Sequence, residues 1–163
     1  MLVFYLILAF VLFFLQNLLP LPSQMRLDLL TLLMVFVSLR TSFIISVSLA
    51  LILGTAMDCY GMSPLGLQAG MLLLAVLGME ILRRPLNFLY IFPQIIGVAT
   101  ITMVQAFAMA LMLHLLISVP VIYPGLVRQG LLQIGVTALG APIALALFGL
   151  LEKIWRRWFF IKT

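Results

Sequence analysis

Six long apolar runs, each closed by a charged residue or a nearby proline, dictate most of what this chain can become. The first covers residues 2–19 and is apolar apart from Gln16 and Asn17. At 1.5 Å per residue it reaches about 27 Å, close to the ~30 Å hydrocarbon core of a bilayer. The others cover about 27–39, 41–57, 65–82, 93–118 and 126–151. They are longer and less alternating than barrel strands of about ten residues, so helices are expected throughout. Composition fixes the solvent: 66% of the residues are hydrophobic, 8% are charged and the mean hydropathy is +1.34. A soluble domain carries about 25% charged residues. The expected fold class is therefore an all-α integral membrane protein. It is read as a compact bundle of about six transmembrane helices in one domain, 1–163, with too little chain left over for a soluble domain.

The boundaries follow from local chemistry. Residues 2–19 lack the basic start and small-residue cleavage site of a signal peptide and read as an uncleaved span, which Pro20 and Pro22 end. A single helix over 27–57 would be roughly 46 Å long and would put Arg40 near mid-membrane, at a cost of about 2.5–3.5 kcal/mol. Two short helices with a turn at Arg40-Thr41-Ser42 are expected instead. Asp28 then falls in a first turn and reads as a cap. Glu80 precedes Arg83 and Arg84 by three and four residues, the spacing of a local ion pair. Pro120, Tyr123, Pro124 and Gly125 read as a loop. The tail from Glu152 to Lys162 alternates aromatic and basic residues, as an interfacial anchor does.

Basic residues set the orientation. With six crossings, one side collects Arg40, Arg83, Arg84, Lys153, Arg156, Arg157 and Lys162, and the other only Arg26 and Arg128. Seven against two puts both termini in the cytoplasm. The net charge of +5 is scattered at the ends of apolar runs, not gathered on a polar face, which argues against nucleic acid as a partner. Cys59, the one cysteine, excludes an internal disulfide and a cysteine-pair metal site, and reads as a small semi-buried side chain.

Catalysis needs converging groups, and one histidine with four dispersed acids offers none. No glycine-rich loop ending in lysine and serine or threonine is present. No enzyme, cofactor or metal is expected. Small residues are better represented: Gly66 and Gly70 form a GxxxG, and Gly135, Ala138, Gly140, Ala141 and Ala144 crowd the last run around Pro142. In lipid such residues let helices approach closely, so Gly70, Gly135, Gly140 and Ala144 read as packing positions within the chain or against a partner. Gln16, Gln68, Gln105, His114 and Gln133 read as interhelical hydrogen-bonding groups.

One stretch departs from this pattern. Gly54-Thr55-Ala56-Met57-Asp58-Cys59-Tyr60-Gly61-Met62-Ser63-Pro64-Leu65-Gly66 places a carboxylate and a glycine-rich turn between two apolar runs. An ionisable group near membrane depth is expensive and by default functional. Gly54, Asp58, Gly61, Pro64 and Gly66 are accordingly the candidate functional or partner-contact motif. The alternative is a carboxylate that caps and stitches a turn on the outer side.

A second run opening with Arg26-Leu27-Asp28, a third ending Gly54-Thr55-Ala56-Met57-Asp58, and Ser63-Pro64-Leu65-Gly66 opening the fourth resemble the rod-shape-determining protein MreD family. Where family members often have proline before the aspartate of the second span, this chain has Leu27. The resemblance implies a non-enzymatic component of the bacterial inner membrane. Such a protein binds the bitopic protein MreC and helps couple cytoplasmic MreB filaments to a shape-and-elongation glycosyltransferase and its transpeptidase, maintaining rod shape. Chains of this kind are similar in size and six-span layout to the substrate-binding subunits of energy-coupling-factor vitamin transporters, which supply the alternative. A capture site should show several convergent polar and aromatic groups, and the available set is Asp58, Tyr60, Gln68 and Gln105.

Overall fold

The computed structural model describes residues 2–18, 28–60, 66–85, 88, 90–117 and 124–160. Among them lie six helices: α1 (Leu2–Leu18), α2 (Leu29–Arg40), α3 (Phe43–Tyr60), α4 (Leu67–Leu82), α5 (Ile91–Ile117) and α6 (Pro124–Phe160). Three helices are long and apolar enough to cross a membrane, through Phe43–Tyr60, Ile91–Met112 and Gly130–Arg157. Phe4–Leu15, Leu29–Arg40 and Leu67–Leu82 are shorter apolar helices.

The chain breaks between α2 and α3 where the sequence places the turn. Thr41 is extended, and its N–H and hydroxyl both donate to the Val37 carbonyl, at 2.8 and 2.9 Å. This satisfies one of the carbonyls a helix end leaves over. Asp28 caps the other end of α2, its side chain accepting the Thr31 N–H at 3.0 Å. At the start of α5, Pro93 falls in the first turn, where a missing N–H costs nothing. Pro124 is the first residue of α6 for the same reason, so that helix begins inside the stretch expected as loop. It also continues without interruption through the basic and aromatic tail to Phe160.

α2 is the centre of the molecule. It has twelve residues, about 18 Å of helix, and every residue from Leu30 to Ser38 is buried. A helix apolar all round belongs in a core. The other five helices all touch it. Around it Tyr5 and Ala9 of α1, Leu49 and Ala50 of α3, Leu72, Ala75, Val76 and Met79 of α4, Val98 and Ile101 of α5, and Ala141, Leu145 and Phe148 of α6 complete the core.

The outer surface is equally apolar. Phe92, Met103, Phe107 and Leu115 on α5 and Leu139, Ile143 and Leu150 on α6 are all exposed, Phe92 to 74%. Thr31, Asp58, Thr102, Gln105, Thr137 and Glu152 are instead buried. Exposed apolar residues around buried polar ones suit a bundle solvated by hydrocarbon.

Contacts between helix ends fix their alternation. Phe4 at the start of α1 stacks near Trp155 at the end of α6, ring centroids 5.1 Å apart. Phe36 and Phe148 meet at 5.8 Å, and the Arg83 guanidinium reaches the Ser38 carbonyl at 3.5 Å. The C-terminal ends of α2, α4 and α6 therefore share one end of the bundle with the start of α1. At the opposite end Phe13 of α1 meets Tyr60 of α3, centroids 5.8 Å apart.

Candidate functional site

Gly54 and Asp58 are one helical turn apart on α3 and so lie on the same face. At Gly54 the absent side chain lets α4 in: a Cβ there would fall 2.6 Å from the Ala69 backbone nitrogen and 2.7 Å from its Cβ. One turn further on, the approach delivers the N-terminus of α4 to the Asp58 carboxylate. Oδ2 accepts the Gly66 N–H at 2.8 Å and the Ala69 N–H at 3.5 Å, and Oδ1 accepts the Gln68 N–H at 2.9 Å. Asp58 is 3% exposed. A helix leaves its first N–H groups unsatisfied and carries partial positive charge there, which makes a carboxylate the natural partner. The α4 cap residue, Gly66, has no side chain to serve and takes φ +94°, a conformation glycine adopts at little cost. Asp58 supplies the missing cap from the neighbouring helix. Gly61 and Pro64 lie outside the described residues. Cys59 and Tyr60, beside the inward-facing aspartate, are exposed, so Cys59 is not the semi-buried side chain expected.

A second polar cluster sits between α2, α4 and α5. The Thr31 hydroxyl lies 2.7 Å from Asp28 Oδ2 and 3.3 Å from Gln105 Oε1. Gln105 Nε2 donates to the Met71 carbonyl at 2.8 Å, so one side chain of α5 ties α2 to α4. This is the interhelical role expected of Gln105. Beside it opens a cavity of ≈ 250 Å³ whose polar wall is Asp28, Thr31, Gln68, Thr102, Gln105 and Gln133. Gln68 and Gln105 come together there as a capture site would require, whereas Asp58 and Tyr60 do not line it. Asp28, Thr31, Thr102 and Gln133 take their place. From the sequence, Gln133 reads only as a hydrogen-bonding group and Asp28 only as the cap it also is. The apolar remainder of the wall includes Met57, Met71 and Met109, with neither an aromatic nor a basic side chain among its described residues.

The basic anchors occupy the other end. Arg40, Arg83, Arg84, Lys153, Arg156 and Arg157 are all exposed. The expected pair between Glu80 and Arg83 is present at 3.3 Å. Glu152 is 4% exposed, and its Oε1 accepts from Arg156 Nε at 3.0 Å and Nη2 at 2.6 Å.

Small residues divide by what faces them. Ala138, Ala141 and Ala144 are buried on α6 and Gly140 is half-buried. A Cβ on Gly66, Gly70 or Gly135 would meet nothing within 4 Å. Gly70 and Gly135 therefore make no close crossing among the described residues, which leaves the expected contact with a partner open to them, while the tight crossing within the chain is Gly54 against Ala69.

Among the described residues no group of three or more histidine, cysteine or acidic side chains could hold a metal ion. No family model, no characterised protein and no solved structure matches the chain.

Proposed function

We propose that this chain is a non-enzymatic scaffold of the bacterial cell-elongation complex. It is a six-span inner-membrane protein of the MreD type with both termini in the cytoplasm. It binds MreC and helps couple MreB filaments to the shape-and-elongation glycosyltransferase and its transpeptidase. The observation that carries the reading is how the acids are used. Asp28 caps α2, Asp58 caps α4, Glu80 pairs with Arg83 and Glu152 pairs with Arg156. Each acidic side chain holds helices or an arginine in place, which suits a rigid body that presents surfaces to partners. The motif around Asp58 and the layout of the runs, which resemble that family, supply the identity of those partners.

The cavity beside Gln105 favours a second reading, a substrate-binding subunit of an energy-coupling-factor vitamin transporter. Its ≈ 250 Å³ falls below the about 300–1,000 Å³ common for a ligand site. Without an aromatic face among its described lining it suits a small polar occupant or water better than a vitamin ring.

Gentle-detergent purification of the tagged chain from its native membrane, with mass spectrometry of what accompanies it, separates the two. Recovery of a bitopic coiled-coil protein and wall synthases is expected. Recovery of paired ATPases with a coupling membrane subunit would replace the scaffold reading by the capture reading.

A further inference from the structure

An open groove of ≈ 1050 Å³, larger than the cavity beside Gln105, lies between α2, α4, α5 and α6, at the end where the arginines gather. Its charged lining residues are Arg40 and Arg83, joined by the amide of Gln94. No carboxylate is among its described lining residues. Arg83 is held over it by Glu80 at 3.3 Å and by the Ser38 carbonyl at 3.5 Å. Arg40 has no ion pair among the described residues, and its guanidinium carbon stands 5.7 Å from the centroid of the Phe36 ring. The rest of the wall is apolar. On α6 it runs past Pro142, Ala146 and Gly149, which follow one face at helical spacing beside Leu145, and a Cβ on Gly149 would meet nothing within 4 Å. Ile91 and Leu150 at the margin are exposed.

We propose that this groove seats one anionic phospholipid, its phosphate between Arg40 and Arg83 and an acyl chain along the Pro142–Gly149 face of α6. A cationic mouth above an apolar channel matches an amphiphile with a negative head. A free phosphate ion would leave the channel unfilled, and a zwitterionic lipid would bring a quaternary ammonium to a mouth that already holds the guanidinium groups of Arg40 and Arg83. Guanidinium forks suit phosphate oxygens, and basic pockets between helices on the cytoplasmic side are where such head groups bind.

Native mass spectrometry of the purified full chain, released from micelles containing phosphatidylglycerol or phosphatidylcholine, tests this. One retained phosphatidylglycerol per chain is expected, with phosphatidylcholine lost and millimolar inorganic phosphate failing to displace the lipid. Arg40→Gln should weaken retention about fivefold and the Arg40→Gln/Arg83→Gln pair about thirtyfold. Arg157→Gln, outside the groove, should leave it unchanged. Gly149→Leu, which fills the channel and keeps both charges, should also lose the lipid, and it covers the case in which the double variant fails to fold. Equal retention of the two lipids, equal retention by Gly149→Leu and wild type, or displacement by inorganic phosphate would overturn the proposal.

Discussion

Gly54 of α3 and Ala69 of α4 meet backbone to backbone, with space between them for hydrogen but not for a methyl group. The contact lies one turn from the Asp58 carboxylate, so the same crossing that excludes a side chain at Gly54 brings the α4 N–H groups into range of Asp58. Gly54→Leu is therefore expected to lower stability by about 1–3 kcal/mol through overpacking. Gly70→Ala, where nothing lies within 4 Å, should stabilise by about 0.5–1 kcal/mol through helix propensity. Thermal unfolding of the two variants in one detergent reads both signs. Equal and opposite positions of the two glycines, with Gly70 the sensitive one, would contradict the crossing.

Asp58 is buried, which decides how its substitution should act on partners. Asp58→Ala leaves the N–H groups of Gly66 and Gln68 without their acceptor, a loss of about 1–3 kcal/mol. Asp58→Asn keeps one acceptor oxygen and should fall between Asp58→Ala and wild type, with the protein still inserted. Recovery of the proposed bitopic partner should decline in step with melting temperature across the pair. Lost recovery at an unchanged melting temperature would mean that Asp58 touches the partner directly.

Much of this was legible in the sequence, for reasons that can be named. The break at Thr41–Ser42 followed from the cost of Arg40 at mid-membrane, the Asp28 cap from its place in a first turn, and the Glu80–Arg83 pair from helical spacing. The centrality of α2 was not legible. An all-apolar helix reads the same whether its neighbours are lipid or protein, and nothing in Leu29–Arg40 distinguishes the two. Small residues posed the same ambiguity: the GxxxG of Gly66 and Gly70 is open, while the single Gly54 makes the crossing. The cavity draws Asp28, Gln68, Gln105 and Gln133 from four different runs, and no local pattern links positions that only tertiary packing brings together. The sequence pattern places Glu152 at the start of an interfacial anchor, outside the apolar run. Its burial comes from α6 continuing past the apolar run, which carries the stripe Ala141, Leu145, Phe148 and Glu152 inward at helical spacing.

Gln105 is the joint between α5, α2 and α4, and removing it should loosen all three together. Gln105→Leu keeps the volume and loses the bonds to Thr31 and Met71. At about 0.6 kcal/mol for an average interhelical hydrogen bond in a membrane, the pair should cost about 1 kcal/mol. Gln133→Leu, which lines the same cavity, should cost less than Gln105→Leu. Thermal unfolding checks the order of the two, and a larger loss for Gln133→Leu would move the structural joint from α5 to α6.

The contact of Phe4 with Trp155 binds the orientation of one end of the chain to that of the other. Both residues lie at the end that also holds Arg40, Arg83 and Arg156, so a reporter fused before α1 and one fused after α6 must report the same compartment. In the proposed orientation, which rests on the excess of basic residues on that side, the compartment is the cytoplasm. A reporter active only outside the cytoplasm should therefore stay dark at either terminus and turn bright when inserted between Tyr60 and Gly66, at the Asp58 end. Two bright termini would reverse the orientation while leaving the bundle intact. One bright and one dark terminus would break the pairing of α1 with α6, and with it the alternation of the six helices.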